Sequence, residues 1–131
     1  MTTPDFPAPV EDPESAPYWN SLREHALQLP YCTACGRFFF YPRTICPRCH
    51  AAGVEWRAAS GRGVIYSFSV MRRADPPFVM AYVTLAEGPT MMTNIVNCDP
   101  DTLQVSAAVD LVFVRSEGDF AVPCFQPAAA S

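Results

Sequence analysis

The sequence predicts a mainly β protein in which an N-terminal helix and a cysteine ribbon lead into a five-stranded barrel of the OB type. Three observations carry that expectation. Two C-x-x-C knuckles lie close together in the first half, and five β-type segments punctuated by Gly, Pro and acidic turns fill the second. A one-turn helix signal follows the third of those segments, where a small Greek-key barrel places its helix. At 131 residues the chain can enclose one core or two small linked modules, and 50% hydrophobic against 17% charged residues favours a folded body over disorder.

Residues 1–17 hold Pro4, Pro7, Pro9, Pro13 and Pro17 with four acids and no base. Proline fixes φ and removes amide donors, so this segment reads as a flexible arm. From Tyr18 to Leu27, one face carries Tyr18, Leu22 and His25 and a neighbouring one Trp19, Leu22 and Ala26, which predicts an amphipathic helix ended by Pro30. A helix this short must pack on the body or on another chain. After the cysteine segment, Val54 to Arg57 predicts a short strand, and Gly61-Arg62-Gly63 a turn or bulge. Val64 to Met71 alternates, placing Val64, Tyr66, Phe68 and Val70 on one face and Ser67 and Ser69 on the other.

Pro76-Pro77 interrupts the pattern, and Phe78–Leu85 and Thr90–Asn97 flank Glu87-Gly88-Pro89 as a hairpin. Asp99-Pro100 supplies a cap and a proline at the first helical position, with room for about one turn. Val109 to Arg115 and Ala121 to Phe125 are the last two strands, around a turn at Glu117-Gly118-Asp119. The expected organisation is an arm over 1–17, helix plus ribbon over 18–58, barrel over 59–127 and a flexible tail over 128–131.

Cys32-x-x-Cys35-Gly36 and Cys46-x-x-Cys49-His50, separated by ten residues, are the strong chemical signal. Each knuckle brings two thiolates together, and two facing knuckles supply the four sulfurs that Zn²⁺ takes at about 2.3 Å. Four cysteines close the site to water and substrate, so the metal is expected to be structural; iron fits the same geometry. Glycine usually follows each knuckle because the backbone there needs φ > 0. Gly36 fits, whereas His50 relies on the tolerance of His for that region. Phe38-Phe39-Phe40-Tyr41 between the knuckles is too apolar for a free loop.

Net charge is −4, and all nine cationic residues are Arg. Seven of them fall between positions 37 and 73 against Glu55 alone, a net +6, so an anion site is expected in the first half. No segment reaches the roughly 18 apolar residues of a membrane span, and the first residues lack the features of a secretory leader, so the expected location is cytoplasmic. In that compartment the cysteines read as metal ligands or free thiols rather than disulfides. Catalytic groups are scarce. The two histidines stand near no nucleophile motif, and Cys98 and Cys124 read as small buried hydrophobes, with acyl chemistry at Cys98 as a weaker idea.

Several motifs occur in order: the Tyr18-Trp19 helix, the first knuckle, Tyr41-Pro42-Arg43, the second knuckle, Gly61-x-Gly63-Val64-Ile65-Tyr66-Ser67, Thr93-Asn94-Ile95-Val96, Asp99-Pro100-Asp101-x-Leu103 and Phe125-x-Pro127. Together they resemble the DUF35 family over about positions 18–127. The resemblance implies a rubredoxin-like zinc ribbon joined to an OB-fold domain. Departures from the pattern are His50 and Asn97 where glycine is common, Val105-Ser106 for an Ile-Gly pair, and Gln126 for Arg.

The resemblance implies a non-catalytic accessory subunit of a thiolase-fold acyl-CoA enzyme: a thiolase, an acyltransferase or a lipid-transfer-protein-like aldolase of steroid side-chain degradation. A heterotetramer with two copies of each chain is expected, or a MaoC-like hydratase as partner, with acyl-CoA near the interface. The anchors expected to meet the partner are Tyr18, Trp19, Phe38, Phe39 and Phe40, and Arg62, Arg72 and Arg73 are expected to contact CoA phosphates. The alternative is an independent binder of single-stranded nucleic acid, motivated by the fold and the +6 segment, against which the overall acidity counts.

Overall fold

In a computed structural model of the chain, residues 13–74, 76–115 and 121–128 are described. Residues 1–12, the expected turn at Glu117-Gly118-Asp119 and positions 129–131 of the expected tail lie outside the described residues. The elements are helix α1 (Ala16–Arg23), strands β1 (Gln28–Cys32), β2 (Arg37–Phe38), β3 (Val54–Ala58), β4 (Arg62–Met71), β5 (Phe78–Leu85) and β6 (Thr90–Ile95), a 3₁₀ turn (Pro100–Thr102), β7 (Ala108–Arg115) and β8 (Ala121–Pro127).

The helix begins two residues before Tyr18, inside the segment read as an arm, because Pro17 sits in its first turn, where a missing amide costs nothing. It also stops earlier than expected. His25 takes φ +58°, and the amides of His25 and Ala26 donate to the carbonyls of Leu22 and Ser21, each at 2.9 Å. This left-handed cap closes the helix, with His in the place glycine usually fills. Pro30, expected to end the helix, instead lies within β1, a strand the sequence reading did not find. β1 pairs antiparallel with β2 and β3, giving the ribbon sheet the order β2-β1-β3.

The barrel closes in the order β4-β5-β6-β8-β7, with β7 returning to β4 and one parallel contact between β6 and β8. This mixed, closed, five-stranded arrangement is the OB fold. The β5–β6 hairpin turns as expected, Leu85 N–H donating to Pro89 O at 2.8 Å. The expected one-turn helix is also present, capped by the Asp99 carboxylate accepting from the Asp101 amide at 3.0 Å.

In β4 the expected face is split. The register slips between Ile65 and Ser67, so Ile65 points into the core before the bulge and Phe68 and Val70 after it. Val64 and Tyr66 consequently stand outside, since one extra residue moves every side chain before it to the other face. Gly63 lies where the barrel seam is tightest: a Cβ there would sit 2.7 Å from Val83 Cγ1 and 2.8 Å from Thr84 O.

One apolar core joins both halves. Tyr18, Leu22, Leu27 and Leu29 pack in the same cluster as Ile65, Val83, Met91 and Phe125, so the helix and β1 lie over the barrel. A second, small cluster of Cys32, Phe39 and Cys46 lies within the ribbon. Among the described residues no helix is long and apolar enough to cross a membrane.

Candidate metal centre and the groove beside it

Cys32 ends β1 and Cys35 follows in the adjoining turn, while Cys46 and Cys49 occupy the second knuckle. All four Sγ atoms lie within 4.8 Å of one another. Cys32 Sγ is 3.5 Å from Cys49 Sγ and Cys35 Sγ is 3.8 Å from Cys46 Sγ. A tetrahedron with metal–sulfur bonds of about 2.3 Å has sulfur–sulfur edges of about 3.8 Å, so the donor set fits Zn²⁺. The two knuckles are built alike. Gly36 N–H donates to Cys32 O and His50 N–H to Cys46 O, both at 2.9 Å, with φ +69° at Gly36 and +62° at His50. His50 therefore adopts the glycine conformation, and the metal set consists of the four sulfurs.

Backbone amides tune these thiols. The Cys35 N–H, 3.5 Å from Cys32 Sγ, lowers the Cys32 pKa, and the Cys49 amide leads in lowering Cys46 to about 6. Hydrogen bonding to Cys32 pushes Cys35 the other way, to about 12. Without metal the cluster shares its protons, and a divalent cation replaces them.

The five expected anchors separate. Tyr18 and Phe39 are buried, one in the main core and the other in the ribbon core, and Tyr18 meets the surface only as the bottom of a groove. Phe38 is half-buried with its ring edge-on to Tyr31. Trp19 and Phe40 line a groove of about 450 Å³ between α1, the ribbon and the outer side of β5, β6 and β8, together with Tyr41, Tyr82 and Met92. Tyr18 forms its floor, with ring centroids 5.2 Å from Trp19 and 5.6 Å from Phe40. Tyr41 opens the Tyr41-Pro42-Arg43 motif, whereas Tyr82 and Met92 belong to none; strand alternation on a correctly phased β5–β6 hairpin is the signal that finds those two.

The three arginines expected at CoA phosphates do not converge. Arg62 starts β4 and Arg72 and Arg73 follow its end, roughly 30 Å apart at about 3.3 Å per residue. Arg72 also forms an exposed ion pair with Asp101 at 2.8 Å. Within the +6 segment, Arg57 is held by Glu55 and stacks over the Tyr31 ring at 3.7 Å. Cys98 and Cys124 are buried, burial raises both thiols, and Cys124 reaches about 12. His25 stacks on Phe113 with ring centroids 5.1 Å apart.

Comparison with known proteins agrees with this architecture. Residues 19–55 match the family model of the ChsH2 rubredoxin-like zinc ribbon domain, and 56–114 that of the ChsH2 C-terminal OB-fold domain. A DUF35 domain-containing scaffold protein of Methanothermobacter thermautotrophicus is 40% identical over 67% of this chain and 73% of its own length. The chain belongs to the DUF35 family. Other relatives of this DUF35 chain carry enzyme names. A probable enoyl-CoA hydratase alpha subunit of Thermomonospora curvata is 28% identical over 93% of the chain, which spans 40% of that longer protein. A solved structure titled Ltp2-ChsH2(DUF35) aldolase superposes with a TM-score of 0.84 at 27% identity, covering 93% of this chain and all of the matched one. The segment that matches the zinc ribbon model contains the cluster of Cys32, Cys35, Cys46 and Cys49, whose geometry fits a structural zinc.

Proposed function

We propose that this chain is a non-catalytic accessory subunit that docks on a thiolase-fold acyl-CoA enzyme, supports its assembly and borders its acyl-CoA site. The observation that carries the reading is the likeness, over 93% of this chain, to the chain from the Ltp2-ChsH2(DUF35) aldolase, whose name joins two components. The metal geometry supports it. Four cysteines leave the metal no open position, so the ribbon is a rigid element and offers no centre for hydrolysis or Lewis-acid chemistry. The burial of Cys98 and Cys124 favours the same reading, because a thiol held neutral is a poor nucleophile.

The partner in this proposal is a lipid-transfer-protein-like aldolase of steroid side-chain degradation, a thiolase or an acyltransferase, in a heterotetramer with two copies of each chain. A MaoC-like hydratase is the second partner class, favoured by the hydratase-subunit name of one relative. Of the arginines offered for CoA phosphates, Arg62 and Arg73 keep exposed side chains without a partner among the described residues.

The deciding experiment is co-expression with each thiolase-fold and MaoC-like protein encoded in the source genome, followed by size-exclusion light scattering and zinc analysis. A stoichiometric complex with one zinc per copy of this chain is the expected result. A monomer that ignores all of them and binds single-stranded oligonucleotide with strong salt dependence would replace the proposal with the nucleic-acid reading.

A further inference from the structure

The outward positions of β5, β6 and the part of β4 from Val64 onward form a sheet face that carries no charge. Cross-strand register aligns Val64 with Thr84 and Thr90, Ser67 with Tyr82 and Met92, and Ser69 with Met80 and Asn94, with Tyr66 beside them at the bulge. Arg62 stands only at the end of β4. The large side chains are strongly exposed: Tyr66 67%, Met92 58% and Tyr82 47%. Tyr82 is a ridge between two hollows. On one side lies the 450 Å³ groove with Trp19, Phe40 and Met92, and on the other a hollow of about 180 Å³ lined by Ser67, Ser69 and Met80.

We infer that this face, centred on Tyr82 and Met92 and continued into the groove, is where the enzyme subunit docks. The inference rests on the accessory-subunit reading and adds the surface to it. Size is the first argument. With Val64, Met71 and Met80 the exposed apolar residues present on the order of 500 Å², at the upper end of what a monomer leaves uncovered. That is roughly 60% of the ~800 Å² each partner contributes to a standard interface, close to the usual apolar share of such a surface.

Charge is the second argument. An OB barrel commonly binds oligonucleotides over its second and third strands, which here are β5 and β6. Such binding needs cations along the strand, and these outward positions hold neither Arg nor Lys. A ridge of Tyr and Met beside an aromatic groove matches an apolar protein surface instead, with Tyr82 as a rigid anchor.

The test uses the complex recovered by co-expression, with Tyr82→Arg and Met92→Arg as exposed charge insertions and Glu24→Arg, at the far end of α1, as control. One zinc per chain and an unchanged melting temperature show that each variant folds; Met80→Arg replaces either one that fails this check. The expected result is binding at least ~100-fold weaker for the face variants and within about threefold of wild type for the control.

Wild-type complex formation with equally tight face variants would overturn the docking face and leave the accessory role standing. Failure of wild type to bind any thiolase-fold or MaoC-like subunit would remove both. A homodimer of the chain alone that Met92→Arg dissolves would assign the face to a second copy. Oligo-dT binding lost in Tyr82→Ala would assign it to nucleic acid.

Discussion

Asn97 Nδ2 donates to Gln126 Oε1 at 2.8 Å, so two positions that depart from the DUF35 pattern, where glycine and arginine are expected, hydrogen-bond each other. Asn97 takes φ +53° just after β6, and Gln126 lies in β8, which runs beside that strand. The two departures form one local solution. Gln126→Ala is expected to cost about 0.5–1 kcal/mol in wild type and close to nothing in an Asn97→Gly background. Urea unfolding of the four proteins of the cycle measures the coupling, and additive effects would show the bond to be idle.

Glycine is also replaced at His50 and Ser106, and both keep positive φ, +62° and +72°. Substituting glycine relieves left-handed strain but adds freedom to the unfolded chain. The net expectation is a gain of up to about 1 kcal/mol for His50→Gly and Ser106→Gly. His50→Val, β-branched in the same conformation, is expected to lose about 1–2 kcal/mol. Thermal melts of the zinc-loaded protein order the three variants.

Zinc is expected at one atom per chain. The ribbon's own cluster has three buried residues, Cys32, Phe39 and Cys46, too few to hold the knuckles without metal. Cys46→Ser is expected to abolish zinc binding and to open the amides of residues 33–53 to exchange while β5 and β6 stay protected. Uptake at neutral pH displaces the proton of Cys35, a thiol pushed up to about 12, so affinity falls as pH falls. Competition with a chromogenic chelator across pH checks that sign.

Gly63→Ala is expected to destabilise by about 1–3 kcal/mol. The new methyl would stand 2.8 Å from the Thr84 carbonyl oxygen, a backbone atom that the β4–β5 ladder holds in place. An unchanged urea midpoint would mean the seam has slack.

Thiol alkylation at pH 8 distinguishes the two cysteine classes. Cys98 and Cys124 are expected to stay unmodified in the folded protein, and the four ligands to react once a chelator removes zinc, as intact mass reports. Cys124 also predicts alkaline sensitivity. Burial raises it from 9.0 to about 12, so its contribution is intact below pH 9 and is lost as pH rises from 9 towards 12, where the unfolded chain ionises and the folded one cannot. Cys124→Ala is expected to flatten that part of the stability profile.

The spacing of the four cysteines, the β5–β6 hairpin around Glu87-Gly88-Pro89 and the Asp99 cap are local patterns, each contained in a few consecutive residues, and they were legible in the sequence. So was the β alternation of the second half. The β4 bulge was not, because a one-residue slip leaves no mark in a run of alternating residues. β1 was hidden by its own apolar content and by Pro30, whose lost amide a strand tolerates at positions where it has no ladder partner.

The sequence by itself determined the metal donors and the barrel, because thiolate spacing and period-two alternation are properties of neighbouring residues. Only the tertiary structure decided which aromatics are surface. Tyr18 and Phe39 disappeared into cores that residues distant in sequence complete, and Tyr66, Tyr82 and Met92 were left outside by a bulge and a barrel curvature. Exposure is set by what packs against a side chain, and that partner is chosen by the closed barrel, not by the residue's neighbours along the chain.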